Sequence, residues 1–507
     1  MLTLLARHWF SDPQVMSRIL LCFAVVALSF PVSFLVDRIV SDPYMDEIFH
    51  IPQMQQYCKG NFQSWDPMIT TPPGLYMISY IYSLIVHFGM GTSLWPDSCS
   101  PSVLRHVNIF FSVICAILIR EISLHLEPQM DPILASLKAL ALSCHPLHWF
   151  FTFLFYTDVG STTAVLATYF ASLKRAYWIS ALMSLVAISF RQTNVVWTFF
   201  VLCVSILDFL YGECSGGAKL RLSVDKPLNQ KLVRVAKKEY RTSGQVQGNG
   251  KKLFDIEDLL GEVLFILQHG WQKRVALMRQ FFPFILPFLC FATFLVYNGS
   301  IVLGAKEAHK VSPHFTQLLY FSAFALLAMA PIHMDPFFIW TNLFSLFKFI
   351  HGRRGCFLIV LGGIVSCIHF FSFAHPYLVS DNRHYTFYMW RKIINVRWYS
   401  KYLLAIVYLY SWWSIFRLLG KKRNIWLMVF FGAVAAVLVP APLIELRYYT
   451  IPLYIIALHT PLTLQNGYLA WMLLLLQNMC VNAVTMYIFL YRPFVTHSWN
   501  GPQRFIW

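Results

Sequence analysis

Apolar residues in this chain form long blocks, and polar residues are confined to the short segments between them. A block of about 20 apolar residues crosses the hydrocarbon core of a bilayer as a helix. The pattern therefore predicts an all-α polytopic membrane protein with about 12–15 transmembrane helices. The predicted spans are residues 19–36, 75–88, 103–124, 133–144, 147–156, 160–173, 176–190, 195–211, 281–297, 315–331, 357–373, 402–418 and 425–439, with one or two more between 448 and 490.

The composition supports this prediction and excludes other classes of protein. Of the 507 residues, 57% are hydrophobic and 12% are charged, whereas soluble domains carry about 25% charged residues. The net charge of +17 does not indicate nucleic-acid binding, because the basic residues lie in short clusters between apolar blocks. The 11 cysteines are scattered without a CxxC or Cys/His pattern, which predicts neither a disulfide framework nor a metal site.

The distribution of Lys and Arg orients the predicted spans. Residues 37–73 carry two basic and five acidic residues, whereas the polar insert at 211–279 carries 13 basic and seven acidic residues. Because Lys and Arg collect on the cytosolic side, we expect a cytosolic insert and residues 37–73 on the other side. Within the insert, residues 242–252 are polar and Gly-rich, which predicts disorder. Asn298 begins a glycosylation sequon, one span after the insert and thus on the side of residues 37–73.

Six polar stretches lie at span ends that this orientation places on one non-cytosolic face. Single members have simpler interpretations, such as a helix cap at Asp158 or interfacial aromatic anchors. Together they combine acids, arginines, amides and rings, which suits a site for a sugar and a phosphate. A carboxylate can act as general base on a sugar hydroxyl, and an arginine can hold a phosphate through two hydrogen bonds.

These stretches resemble the eukaryotic family of dolichyl-phosphate-glucose alpha-1,2-glucosyltransferases. The resemblance runs from about residue 42 to residue 452 and is interrupted by the insert. It implies a GT-C fold, a multi-pass helical bundle in the endoplasmic reticulum membrane with its active site in lumenal loops. The motifs that carry it are "DPYMDEIFHIPQMQQYC" (42–58), "WDPMITTPPGLY" (65–76), "FLFYTDVGS" (153–161), "RQTNVVW" (191–197), "DNRHYTFYMW" (381–390) and "ELRYYTIP" (445–452).

The resemblance also implies a reaction, its substrates and its residues. Glucose would pass from dolichyl phosphate glucose to a diglucosylated dolichyl-diphosphate oligosaccharide with inversion, in contact with membrane lipid and without a cofactor, metal or nucleic acid. We expect Asp46 to be the catalytic base and Glu47 to position the acceptor or the loop, although the reverse order stays open. Arg447 is the first candidate for the donor phosphate, followed by Arg383 and His384. Expected substrate-binding residues are His50, Trp65, Asp66, Tyr156, Asp158, Arg191, Gln192, Asn194, Asp381, Asn382, Glu445 and Tyr448.

The implied organisation has three parts. Residues 1–211 form an N-terminal membrane module whose first lumenal loop, 37–73, is catalytic. Residues 212–279 form the basic cytosolic insert. Residues 280–507 form a C-terminal membrane module with the lumenal donor-phosphate motifs.

Two alternatives to the expected glucosyltransferase function remain open from the sequence. Another polyprenyl-phosphate-sugar transferase, such as a mannosyltransferase, would need the same residue types. A membrane transporter is less compatible with the pattern, because transporters bind substrate near the bilayer midplane between repeated halves. In this chain the polar residues lie at one surface, and no internal repeat is evident.

Overall fold

The structure is a computed structural model that describes residues 12–90, 99–220, 256–309, 311–461, 467–495 and 501–507. Between the helices lie short 3₁₀ turns and one π-helical turn, Trp390–Ile394. The helices are α1 Pro13–Ile39, α2 Glu47–Cys58, α3 Gly74–Met90, α4 Pro101–Leu126, α5 Pro132–Ser143, α6 Pro146–Phe151, α7 Thr157–Leu173, α8 Tyr177–Phe190, α9 Asn194–Leu220, α10 Ile256–Gln272, α11 Arg274–Phe281, α12 Ile285–Asn298, α13 Thr316–Ala328, α14 Ala330–His333, α15 Pro336–Gly352, α16 Arg354–Phe371, α17 Pro376–Ser380, α18 Tyr385–Met389, α19 Ser400–Leu418, α20 Asn424–Leu438, α21 Thr450–His459 and α22 Gly467–Tyr491.

Six of the described helical segments are long and apolar enough to cross a membrane: α1, α4, Asn194–Gly212 within α9, the continuous run Arg274–Asn298, α16 and α22. Five shorter apolar helices of 10–17 residues accompany them, among them α5, α8, α13 and α20. The prediction of an all-α polytopic membrane protein is therefore confirmed.

Several helices begin at an Asp-Pro pair. Asp12 precedes α1, Asp131 precedes α5 and Asp335 precedes α15, and each carboxylate accepts a hydrogen bond from a backbone N–H of the first turn. The following proline fits the first helical position, because its missing N–H would have no partner there. These starts can be read directly from the sequence.

The predicted span at residues 147–156 is wrong. The short helix α6 ends at Phe151, and the chain then runs through turns until α7 begins at Thr157. Irregular backbone inside a membrane protein needs internal hydrogen-bond partners. The fully buried Asn108 of α4 supplies one, because its amide donates to the carbonyls of Leu154 (2.6 Å) and Tyr156 (3.0 Å).

The polar loops between the helices meet at one end of the bundle, which we call the site face. The loop after α12 pairs with the first loop, because Leu303 N–H donates to the Thr70 carbonyl at 3.3 Å. Gly304 allows this approach, since a Cβ there would lie 2.2 Å from the Pro67 carbonyl oxygen. The sequon residue Asn298, at the end of α12, therefore lies on the same face as the first loop.

The described part of the insert lies at the opposite end of the bundle. Glu262 of α10 accepts a hydrogen bond at 2.9 Å from the N–H of Ile425, at the start of α20. The far end of α20 reaches the site face, where Val439 accepts from His314 N–H at 2.9 Å. The segment expected to be disordered, 242–252, lies outside the described residues.

A disulfide joins Cys58 and Cys99, contrary to the expectation from the cysteine spacing. The two residues are 41 positions apart, and the fold brings together the end of α2 and the segment before α4. Spacing could not reveal this pair, because the tertiary structure alone creates the contact. The bond lies on the site face, and disulfides persist in non-cytosolic compartments.

The last residues of the chain return to the site face. Ile506 N–H donates to the carbonyl of Arg383 at 2.9 Å, and Tyr385 N–H donates to the Ile506 carbonyl at 3.1 Å. The Arg504 guanidinium donates to the carbonyls of Phe489 and Leu490, which end α22. This terminal segment therefore joins the end of α22 to the loop that contains residues 381–385.

Candidate active site

Glu47 is fully buried, and its carboxylate accepts four hydrogen bonds. Arg105 of α4 binds it with two hydrogen bonds, Nε to Oε1 at 3.0 Å and Nη2 to Oε2 at 2.7 Å. The backbone N–H groups of Phe155 (2.6 Å) and Tyr44 (3.1 Å) donate to the same carboxylate. Its side chain is 0% exposed. We call Glu47 and Arg105 the anchor pair, because their contacts join the first loop to α4 and to the segment before α7.

Asp46, the adjacent residue, is in a different environment. It occupies the N-cap position of α2, yet its carboxylate caps no backbone N–H. The preceding residue, Met45, has a left-handed φ of 56°, a conformation that costs energy for a side chain with a Cβ. The Asp46 side chain is 45% exposed and lies 3.4 Å from Nη1 of Arg447. Its own N–H donates to the hydroxyl of Tyr156 at 3.0 Å.

Arg447 lies at the centre of the site face. Its guanidinium approaches three carboxylates: Glu445 at 2.8 Å, Asp46 at 3.4 Å and Asp158 at 3.7 Å. Burial would lower the pKa of Arg447, but these three carboxylates raise it well above its ordinary value. The arginine is therefore a permanent cation. The rings of Phe151 and Tyr156 lie under its guanidinium at 5.5 and 5.7 Å.

Arg191 extends the same cluster. Its guanidinium pairs with Asp158 at 2.9 Å, donates to the Thr157 hydroxyl at 3.1 Å and lies over the ring of Tyr448. Asp158 is in the first turn of α7, where the helix dipole favours a negative charge. We call Asp46, Asp158, Arg191, Glu445 and Arg447 the charge cluster.

Three residues of the charge cluster, Asp158, Arg191 and Arg447, line a small open cleft. Tyr448, and Asn194 and Trp197 of α9, line the same cleft. Burial would raise the pKa of Glu445, but the charges of Arg447, Arg191 and His384 hold it below its usual value. The cleft presents the carboxylate of Asp158 beside the guanidinium groups of Arg191 and Arg447, and guanidinium groups bind phosphates through charge-assisted hydrogen bonds.

The loop at residues 381–384 lies beside this cluster. Arg383 binds Asp381 with two hydrogen bonds, at 2.8 and 2.7 Å, and donates to Gln503 at 3.2 Å. His384 lies 3.7 Å from the same aspartate. Burial would raise the pKa of Asp381, but hydrogen bonds from Arg383 and the nearby cations lower it. The half-buried Asn382 is next to them in the chain.

Other residues expected in the site hold its loops in place. His50 is buried and contacts the Tyr76 hydroxyl at 2.5 Å. Gln192 donates to the Thr70 carbonyl at 2.6 Å, and Asn194 donates to the Ser161 hydroxyl at 2.7 Å. Asp66 accepts from Met68 N–H in a local turn, and the ring of Trp65 packs against Tyr76. The structure therefore brings together Asp46, Tyr156, Asp158, Arg191, Glu445, Arg447 and Tyr448. Asn194 lines the cleft beside them, and His50, Trp65, Asp66 and Gln192 lie further out.

Sequence reasoning missed three residues that support the site. Arg105 neutralises Glu47. The sequence contained a signal for this role, because an arginine inside an apolar span needs a partner. Tyr44 and Arg504 form a reciprocal pair in which the Tyr44 hydroxyl donates to the Arg504 carbonyl at 2.6 Å and accepts from its N–H at 2.8 Å. No local pattern indicates this pair, because its members lie at opposite ends of the chain.

Within the parts of the chain that the structure describes, no group of three or more His, Cys, Asp and Glu side chains is arranged to hold a metal ion. The most exposed carboxylate of the charge cluster, Asp46, can take part in proton transfer, and its two guanidinium groups can bind an anion.

The chain is similar to known proteins over nearly its whole length. The model of the DIE2/ALG10 family matches residues 40–458. A protein of Arabidopsis thaliana named Dol-P-Glc:Glc(2)Man(9)GlcNAc(2)-PP-Dol alpha-1,2-glucosyltransferase is 44% identical over 505 residues, which cover 94% of this chain and 97% of that protein. A Homo sapiens protein of the same name is 34% identical, with 96% and 98% covered. One from Drosophila melanogaster is 30% identical, with 97% and 99% covered. No solved structure matches.

Proposed function

The chain belongs to the DIE2/ALG10 family, and we propose that it transfers glucose from dolichyl phosphate glucose to the diglucosylated dolichyl-diphosphate oligosaccharide in an alpha-1,2 linkage. The observation that carries the proposal is the near full-length similarity to proteins of that name. The charge cluster supports it, because a partly exposed carboxylate, Asp46, lies 3.4 Å from the guanidinium of Arg447, which lines the cleft.

Asp46 is the catalytic base in this proposal. It removes the proton of the acceptor hydroxyl while the oxygen attacks C1 of the donor glucose. The new C1–O bond forms on the face opposite the phosphate, and the old C1–O bond breaks to release dolichyl phosphate. One displacement inverts the anomeric centre, so an alpha product requires a beta-linked donor. The 45% exposure of Asp46 and the full burial of Glu47 support this assignment.

Arg447 holds the donor phosphate. Its Nε and Nη2 donate to Glu445, at 3.2 and 2.8 Å, which orients the guanidinium. Its Nη1 makes only the longer contacts to Asp46 and Asp158, and good charge-assisted hydrogen bonds are about 2.7–2.9 Å long. A phosphate oxygen can replace these long contacts and gain a shorter bond. Arg383 and His384 would then assist from the neighbouring loop.

The remaining predicted residues bind or surround the sugars. Asp158, Arg191 and Tyr448 line the cleft directly. The phosphate is a weak base when it leaves, so the reaction needs no strong general acid. A GT-C fold is consistent with a helical membrane bundle whose polar loops gather on one face.

We infer that the site face is lumenal and that the enzyme resides in the endoplasmic reticulum membrane. The described part of the basic insert, in α10, contacts the end of the bundle opposite to the site face, and Lys and Arg collect on the cytosolic side. The Cys58–Cys99 disulfide supports an oxidising environment for the site face.

The decisive experiment is transfer by the purified protein in lipid nanodiscs. It is supplied with the diglucosylated acceptor and with either dolichyl phosphate glucose or dolichyl phosphate mannose. We expect a product one hexose larger with the glucose donor only, and linkage analysis should identify an alpha-1,2 bond. Transfer from the mannose donor would favour the mannosyltransferase alternative. Uptake of a solute into sealed vesicles without any transfer would favour a transporter.

A further inference from the structure

A basic segment follows the loop at residues 381–384 on the site face. Residues 386–401 carry Arg391, Lys392, Arg397 and Lys401 and contain no acid. They include the end of α18, the π-helical turn Trp390–Ile394 and the start of α19. The side chains of Arg391, Lys392 and Arg397 are exposed. We call these three residues the basic edge.

Within the described part of the chain, the basic edge makes no ion pair with a carboxylate. Arg391 lies over the ring of Phe387 and Lys392 over the ring of Tyr388, at 5.9 and 5.8 Å. Arg397 makes a long contact of 3.4 Å with the Tyr399 hydroxyl. Cations stacked on rings in this way keep most of their N–H donors available for a ligand.

The position of the basic edge opposes the usual charge distribution of membrane proteins. The terminal segment pairs with Arg383 and Tyr385, so the chain enters residues 386–401 on the site face. Phe371, at the end of α16, packs against Phe315 on that face as well. Lys and Arg normally collect on the other side of the membrane. Three exposed cations on the site face therefore indicate a specific anionic ligand.

Exposed apolar side chains lie next to the cations of the basic edge in the chain. Ile393 and Val396 are each 54% exposed and Trp398 is 79% exposed, and all three alternate with the cations along the chain. Exposed apolar side chains beside basic ones are typical of a segment at the membrane interface. The ligand is thus an anion attached to a lipid.

We propose that the basic edge binds the diphosphate of the lipid-linked acceptor. This inference rests on the proposed function, in which both substrates are lipids of one leaflet. The donor phosphate is the reacting group and must lie at the charge cluster. The acceptor diphosphate is separated from its reacting hydroxyl by the whole glycan, so it must lie outside the cluster and at the lipid boundary. The basic edge meets both requirements and has the complementary charge.

The test compares the triple variant Arg391→Gln, Lys392→Gln, Arg397→Gln with the parent enzyme in nanodiscs of phosphatidylcholine alone. We expect the KM for the lipid-linked acceptor to rise about 10- to 100-fold, because each Lys or Arg near a membrane surface contributes about fivefold to binding of an anionic headgroup. The KM for the donor and the kcat at saturating acceptor should stay close to the parent values. A matched control is Arg353→Gln, Arg354→Gln, which removes two exposed cations at the opposite end of α16 and should leave all three values unchanged.

A second measurement uses inhibitors that lack the glycan. Polyprenyl diphosphate should inhibit the parent enzyme more strongly than the triple variant, whereas polyprenyl monophosphate should inhibit both equally. An unchanged acceptor KM, or equal inhibition by the diphosphate, would overturn the inference while glucose transfer by the parent enzyme continues. An equal rise of the donor and acceptor KM would make the segment a membrane anchor only, which also overturns it. Failure of the parent enzyme to transfer glucose would instead refute the proposed function.

Discussion

The charge cluster and the anchor pair differ in almost every physical property, although Asp46 and Glu47 are adjacent in the chain. Glu47 accepts four hydrogen bonds from Arg105 and two backbone N–H groups and is closed to solvent. Asp46 is partly exposed, and its carboxylate has only a long contact to Arg447. A carboxylate whose acceptor sites are all occupied stabilises the structure, and one that is partly exposed can exchange a proton. The four predictions below test this difference.

The largest effect should come from Asp46→Asn, which keeps the shape of the side chain and removes its basicity. We expect turnover to fall by about 10²–10⁴, the usual contribution of a general base, while donor binding and thermal stability stay near the parent values. Asp42→Asn, an exposed acid of the same loop, is the matched control and should remain active. An active Asp46→Asn enzyme together with an inactive Glu47→Gln enzyme would assign the base to Glu47.

Substitutions in the anchor pair should reduce the stability of the protein more than they reduce its turnover. Arg105→Met leaves the Glu47 carboxylate buried without its main cation, and breaking a buried pair in this way costs about 3–5 kcal/mol. The half-life at elevated temperature should shorten sharply, whereas turnover per folded molecule should fall less than in Asp46→Asn. The double variant Glu47→Gln, Arg105→Met should be less destabilised than the sum of the single changes. Full additivity would mean that the pair does not act as a unit.

Arg447→Lys should have an intermediate effect on donor use. Lysine keeps the positive charge but lacks the planar fork that binds a carboxylate and a phosphate at the same time. We expect the KM for dolichyl phosphate glucose to rise about 10-fold, which corresponds to the loss of one charged hydrogen bond of roughly 1.5 kcal/mol. Acceptor KM, measured at saturating donor, serves as the internal control. A change confined to the acceptor would show that Arg447 has another role.

The smallest effect should come from His50→Gln, which should change how strongly the stability of the protein depends on acidic pH. Burial lowers the pKa of His50 from 6.5 to about 4; the nearby charge of Asp46 raises this pKa by less, and that of Arg447 lowers it further. The neutral imidazole is therefore favoured in the folded state, and stability falls as the pH decreases from about 6.5 towards 4. His50→Gln should weaken this pH dependence of the thermal midpoint and leave the midpoint at pH 8 less affected. An unchanged profile would indicate that His50 does not contribute to acid sensitivity.

Much of the fold could be predicted because its signals are local. Apolar blocks indicate spans, and Asp-Pro pairs mark the starts of α1, α5 and α15. The prediction was wrong at residues 147–156, where the composition is apolar but the chain is irregular, because Asn108 on another helix satisfies its carbonyls. The disulfide was also missed, since Cys58 and Cys99 meet only after α2 and α4 are packed.

The sequence by itself determined that this protein is a polytopic helical membrane protein and which six polar stretches approach one another. Apolar periodicity, charge bias and motif identity are properties of short segments and need no knowledge of distant contacts. The tertiary structure alone decided how the two adjacent acids differ, because their partners are remote in the chain. Arg105 lies 58 positions from Glu47, and Arg447 lies 401 positions from Asp46. Exposure and hydrogen bonding depend on these long-range partners, and no local pattern contains them.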